Sequence, residues 1–208
     1  VQEAGLAAAR AAADRQGEAV LLVGLGRHRA TQEEWGPARS MLDSARSMFR
    51  SLRDDHGAAH ADWVLSYLDR LQGRRDDALV RCHRNATVFE SAGDRYGQAH
   101  ALRGIGQILL QDGAHAQALT FLERALSVAE AGGAAWPRMC MLRWVADAQL
   151  TLGRHDEAHR GFTEILDHTR ASGDVAGQTA AHVGLGKVAL ARGDVVLLRG
   201  NRTWSQGV

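Results

Sequence analysis

A gap-free period of 40 residues constrains this sequence more than any other feature: Gly73, Gly113, Gly153 and Gly193 recur at that interval. The same shift superimposes Ala38, Ala78, Ala118 and Ala158, and also Leu25, Leu65, Ile105, Val145 and Leu185. A column of small residues, Gly26, Ser66, Gly106, Ala146 and Gly186, runs beside the second of these. Asp14, Asp54, Asp94 and Asp174 mark the starts of units, with Gly93, Gly133 and Gly173 just before three of those boundaries. Such self-similarity marks repeat architectures, in which each unit buries its apolar face against the next.

Within a unit the apolar residues fall at helical spacing, as in Leu102, Ile105 and Leu109, and again in Ala118, Leu122 and Ala125. Between these runs, Gln111-Asp112-Gly113 carries the glycine that ends a helix and permits a reversal. Each unit therefore predicts two helices of roughly 17 residues, rods of about 25 Å. The small column at Gly106 and the alanine column at Ala118 let neighbouring rods approach to about 8 Å. Only 2 prolines interrupt an alanine- and leucine-rich text that favours helix. The expectation is an all-α solenoid of antiparallel helix pairs, with units starting near 14, 54, 94, 134 and 174.

The run Leu102-x-x-Ile105-Gly106-x-x-Leu109-x-x-x-Gly113, followed by Ala118-x-x-x-Leu122-x-x-Ala125, resembles the tetratricopeptide-repeat (TPR) signature set in a longer unit. The resemblance recurs from about Asp14 to Gly193 and implies a right-handed TPR superhelix of four to five repeats. Departures are local. Glu33 stands where glycine is expected, Asp62 and Asn85 fall in apolar columns, and Ile165 replaces alanine. Residues 1–13 read as the end of a preceding second helix, 14–193 as the repeat domain and 194–208 as a tail without repeat signal, Leu198 and Gly200 breaking the pattern. A solenoid cut in mid-repeat at both ends, beginning at Val1, is expected to come from a longer protein and to expose apolar ends that could pair into a homodimer.

If Leu102, Ile105, Gly106 and Leu109 face the core, the opposite face of that helix carries His100, Arg103, Gly104 and Gln107. The resemblance implies that this face lines a concave groove. Shifted by one unit, it gives His60, Trp63, Val64 and Tyr67 in repeat two, and Cys140, Arg143, Trp144, Asp147 and Thr151 in repeat four. Repeat one adds Arg27 and repeat five Lys187. The expected partner-binding residues are thus His60, Trp63, Tyr67, His100, Arg103, Gln107, Arg143, Trp144, Asp147 and Lys187. Aromatics among cations suit a ligand with an apolar group to stack and an anionic group to pair. The alternative packs Trp63 and Trp144 between adjacent first helices.

Signals of catalysis are weak by comparison. His155 and His159 stand one turn apart, a spacing that could hold zinc, but Ala158 between them occupies the alanine column and the glutamate of a metalloprotease helix is misplaced. Gly24-x-Gly26, Gly104-x-Gly106 and Gly184-x-Gly186 recur in one helix column, so they predict close helix packing in place of a phosphate loop. Cys82, in the column of Leu42, Leu122 and Phe162, predicts a buried thiol; Cys140 is not its equivalent, so no redox or metal pair is expected. Arg74, Arg75, Arg81 and Arg84, near Asp76 and Asp77, read as a solvated convex face. No enzyme activity, cofactor or metal is expected.

A formal net charge of +1 with acids and bases interspersed gives no nucleic-acid-binding patch. No long apolar run or charged leader signals a membrane, so a cytoplasmic setting is expected. The text Gly93-Asp94-Arg95-Tyr96-Gly97-Gln98-Ala99 and Ala118-Leu119-x-x-Leu122-x-x-Ala125-Leu126 is similar to the carboxy-terminal repeats of large bacterial transcriptional activators, the Streptomyces antibiotic regulatory proteins and the maltose-activator type. That resemblance implies a sensor or interaction region binding a protein, peptide or small effector in the groove, with other domains of the longer chain supplying any ATPase or DNA contact. A stand-alone assembly adaptor that holds a peptide without switching is the second expectation.

Overall fold

An aspartate cap starts the first helix of four repeats, and a left-handed residue follows each helix. Asp14, Asp54, Asp94 and Asp174 cap helix starts, each carboxylate accepting from the backbone N–H of the glycine three residues on: Gly17 (2.8 Å), Gly57 (2.7 Å), Gly97 (2.8 Å) and Gly177 (3.0 Å). At the other end, positions 13, 33, 53, 73, 93, 113, 133, 153, 173 and 193 all have positive φ. Seven are glycine, but Ala13, Glu33 and Arg53 hold φ of 54°, 62° and 59°, a conformation that strains a residue with a Cβ. The 40-residue unit thus contains a 20-residue rhythm of helix and turn.

The computed structural model describes residues 2–194, and its described residues form ten helices. They are α1 (Gln2–Ala11), α2 (Arg15–Thr31), α3 (Trp35–Ser51), α4 (Asp55–Leu71), α5 (Arg75–Ser91), α6 (Arg95–Gln111), α7 (His115–Ala131), α8 (Ala135–Thr151), α9 (His155–Ser172) and α10 (Val175–Arg192). The architecture is all-α. None of these helices is long and apolar enough to cross a membrane. The tail expected over 194–208 lies, beyond Asp194, outside the described residues.

The described residues divide into two compact units, with the boundary between Ile108 and Leu109. In the first, α2 packs on α3 and α4 on α5 as hairpins, with α3 against α4 and α2 also touching α4. Its apolar layer includes Leu22, Phe49 and Ala61 at one level and Leu42, Leu65 and Leu68 at the next. The small column acts as expected here: a Cβ on Gly26 would come within 2.7 Å of Leu42. In the second unit α7, α8, α9 and α10 pack in succession, with Phe162, Ile165 and Leu166 of α9 meeting Leu142 and Ala146 of α8 and Val188 of α10.

Two expectations are corrected. Gly186 faces open space, and the glycine pressed by its neighbour is Gly184, where a Cβ would meet the Phe162 ring at 2.3 Å. No described helix follows α10 to close on Gly186. The arginines of α5 are more than a solvated face: Arg75 and Arg84 are exposed beside Asp76 and Asp77, but the guanidinium groups of Arg81 and Arg84 reach across to α4. Arg81 and Arg84 converge on Asp62, a fully buried carboxylate of α4, joined by Arg46 (3.2 Å) and Arg50 (3.8 Å) of α3. Arg39 (2.5 Å), Arg74 (2.9 Å) and Arg81 (2.9 Å) converge on Asp69, which is 1% exposed. A buried carboxylate must be paired to remain ionised, and these two are held by arginines from both flanking helices.

Burial alone would raise the Asp69 pKa; hydrogen bonds from Arg39 and Arg74, the Arg39 charge and the bond from Arg81 outweigh it and hold the carboxyl below its ordinary range. Around Asp62 cations are in excess. Burial, with repulsion from Arg50 and Arg46, pushes Arg84 below the usual guanidinium range.

Candidate functional site

One face of the first unit, built from α2, α4 and α6, encloses a cavity of about 220 Å³. Helical spacing brings its walls together: Arg27 and Thr31 of α2, Trp63, Tyr67 and Arg70 of α4, and His100, Arg103 and Gln107 of α6 are three or four residues apart on their helices. Trp63, Tyr67, Val64 and Ile108 make it largely apolar. Arg27, Arg70 and Arg103 bring three cations to the lining, which contains no carboxylate. The Arg70 guanidinium lies 5.4 Å from the Tyr67 ring centroid.

His100 is the unusual member. The residue is 7% exposed, covered by the rings of Tyr96 (4.4 Å) and Trp63 (5.0 Å), so its expected place on an open groove is corrected to the wall of a cavity. Gln107, also 7% exposed, shares that correction. Burial, with the Arg103 charge beside it, lowers the His100 pKa to about 4, so the ring is neutral at pH 7. A guanidinium only donates, so the 3.0 Å contact from Arg103 Nη2 makes Nδ1 the acceptor and leaves the proton on Nε2. That N–H has no partner among the described residues. A buried donor without an acceptor costs about 1–3 kcal/mol, so it favours a ligand that supplies one.

Cys82, 2% exposed, reaches the same cavity, and burial pushes its thiol pKa up. The thiolate that redox or metal chemistry needs is therefore disfavoured.

A second cavity, of about 490 Å³, shares Arg27, Trp63 and Val64 with the first and extends past His56 and His60. Asp94 Oδ2 lies 3.0 Å from Nε2 of His56 and 3.2 Å from Nε2 of His60. The His60 pKa is lowered, by burial first and by the His56 charge second, against the opposing pull of Asp94. Phe89 packs edge-on to both imidazoles, with centroids at 5.7 and 4.9 Å.

The remaining expected residues lie in the second unit, where charge is compensated internally. Lys187 Nζ donates to Asp147 Oδ1 at 3.3 Å, and the Arg143 guanidinium stacks 4.7 Å from the Trp144 ring centroid. Trp144 packs against the cluster of Leu119, Leu122 and Val145, from α7 and its own helix. His155 is half-buried and His159 exposed; they belong to no three-ligand cluster among the described residues.

Reading repeat by repeat overlooked Arg70, His56, Tyr96 and Asp94 as site residues. The four-residue step from His56 to His60 was the available signal; their shared carboxylate, from another helix 38 residues on, leaves no mark in the local pattern.

Residues 57–131 match the family model described as tetratricopeptide repeat. No curated protein matches the chain. Among solved structures the chain is similar to aspartyl phosphate phosphatase F from Bacillus subtilis (TM-score 0.78, 14% identity), covering 89% of this chain and 49% of that one. It is as similar to BtubC (BKLC) from P. vanneervenii (TM-score 0.78, 17% identity), covering 93% and 82%. A signal transduction ATPase with numerous domains from Pyrococcus horikoshii, described with a tetratricopeptide repeat sensor, has TM-score 0.71 at 14% identity, over 85% and 28%. The chain spans about half of the phosphatase's length. At these identities the likeness is one of fold, and that fold is an all-α helical repeat of the tetratricopeptide type.

Proposed function

We propose that this chain is a non-catalytic binding module that takes an acidic peptide segment or small anionic effector on the face formed by α2, α4 and α6. The observation that carries the reading is the buried, unpartnered Nε2–H of His100 in a cavity with three arginines and no lining carboxylate. A carboxylate would accept from His100 and pair with Arg103 and Arg27, while an aromatic or aliphatic body packs against Trp63 and Tyr67.

In this reading residues 14–193 are the repeat domain, Trp63, Tyr67, His100, Arg103 and Gln107 serve the main site, His60 lines the adjoining cavity, and Arg143, Trp144, Asp147 and Lys187 serve a weaker, self-compensated surface. The module would be the cytoplasmic sensor region of a larger bacterial transcriptional regulator, biased between two states by a ligand that prefers one of them. The tetratricopeptide repeat sensor of the Pyrococcus horikoshii protein supports that setting. The simpler reading, an adaptor that holds its partner without switching, uses the same face.

A random-peptide display selection tests the site. Acidic sequences with a neighbouring aromatic residue should be enriched, and Trp63→Ala or Arg103→Ala should each weaken the selected peptide about tenfold or more with unchanged helicity. Lys187→Ala should leave it bound. Enrichment of basic sequences, or full affinity in both variants, would contradict the reading.

A further inference from the structure

His56 and His60 occupy one face of α4 four residues apart, and Asp94 reaches them from the cap of α6. Their three ligand atoms all lie within 4.8 Å of one another. Two edges of that triangle, 3.0 and 3.2 Å, match the roughly 3.3 Å separation of donors around a tetrahedral ion with bonds of about 2.0–2.1 Å. The same contacts also serve as hydrogen bonds, so geometry alone does not single out a metal.

Comparison between repeats adds an independent reason. Aspartate recurs at this position in four repeats because it caps a helix, but the histidine pair does not recur. Positions 16 and 20 hold Gln16 and Val20, 96 and 100 hold Tyr96 and His100, and 136 and 140 hold Trp136 and Cys140. Packing that is common to the repeats therefore does not call for this pair. The carboxylate is already oriented: Asp94 Oδ1 accepts from Gly97 N at 2.8 Å, which leaves Oδ2 toward the imidazoles. Phe89, which contacts both rings, restricts their rotation. Metal-ligating side chains are commonly fixed by such outer contacts.

We propose that His56, His60 and Asp94 form a binding site for a first-row divalent cation of the zinc type. Two imidazoles and one carboxylate are a ligand set for such ions and a poor one for magnesium or calcium. Each imidazole binds through the Nε2 lone pair and carries its proton on Nδ1. Because His56 and His60 also line the second cavity, the cation would hold an open coordination position toward it.

The test uses the tag-free chain, stripped with chelator and titrated with zinc chloride in a calorimeter. One ion per chain should bind saturably and raise the melting temperature. His56→Ala, His60→Ala and Asp94→Asn should each weaken binding about tenfold or more, since even outer-contact losses cost that much. The asparagine keeps a cap acceptor for Gly97, so loss of affinity there with unchanged helicity separates ligation from folding. His155→Ala should leave binding intact. Absence of saturable binding, full binding in both alanine variants, or loss of binding in His155→Ala would overturn the site. None of these results bears on peptide selection by the arginine-lined cavity.

Discussion

The second and fourth hairpins occupy equivalent places in the repeat but solve burial differently. Asp62, Cys82 and Asn85 in the first unit correspond, two periods on, to Leu142, Phe162 and Ile165 in the second. The fourth hairpin buries its apolar set against α10. The second buries a carboxylate among arginines and an asparagine whose amide atoms have no partner among the described residues. The candidate faces differ likewise: no carboxylate residue lines the first cavity beside its arginines, whereas Lys187 and Asp147 pair in the second unit. The contrast shows that one backbone repeat accommodates either dry packing or a polar interior, provided that the turns and small-residue columns are kept.

The largest expected effect separates the two modes of burial. Asp62→Ala should destabilise the chain by about 3–5 kcal/mol, because it leaves clustered guanidinium groups without their buried partner. Leu142→Ala should cost about 2–5 kcal/mol through a cavity. Urea denaturation at low and high salt distinguishes them: the Asp62 loss should shrink with salt and the Leu142 loss should not. Equal salt response in both variants would erase the distinction.

A smaller effect lies in acid. His100 is neutral in the folded chain down to about pH 4, while an unfolded histidine takes up a proton near 6.5. Stability is therefore lost as pH falls from about 6.5 to about 4, by roughly 3 kcal/mol, and this contribution is flat below that range. His60, shifted the same way, adds to the loss, whereas Asp69 and Asp94, held low, contribute theirs only as pH falls below the ordinary carboxylate range. Denaturation curves across this interval should show His100→Gln removing most of the upper step. A step unchanged by that substitution would place its origin elsewhere.

The smallest effect concerns the turns. Ala13, Glu33 and Arg53 carry positive φ in the first unit, while the corresponding positions of the second, from Gly113 to Gly193, are all glycine. Glu33→Gly should stabilise by about 1 kcal/mol and Gly153→Ala should destabilise by a similar amount, both read from urea midpoints. Opposite signs would show that backbone strain at these turns is relieved by other contacts.

The helix pairs were legible in the sequence because glycine, alanine and aspartate recur for reasons intrinsic to a single chain segment: a left-handed turn, a close approach and a cap. The face bearing Trp63, Tyr67, His100, Arg103 and Gln107 followed from spacing along each helix, and these residues line one cavity. What spacing does not encode is depth and cross-helix partnership. His100 lies buried because the rings of Tyr96 and Trp63 cover that part of the face. Asp62 reads as a misplaced polar residue until arginines of α3 and α5 are brought to it, and the link from His56 and His60 to Asp94 spans two helices. The Gly186 expectation failed because a column identifies a small residue without saying whether a neighbour packs on it.

Hydrogen–deuterium exchange, with and without a display-selected acidic peptide, tests the binding face most directly. Protection should concentrate in 56–70 of α4 and 96–107 of α6. Protection confined to 137–151 of α8, with α4 and α6 unchanged, would contradict the account.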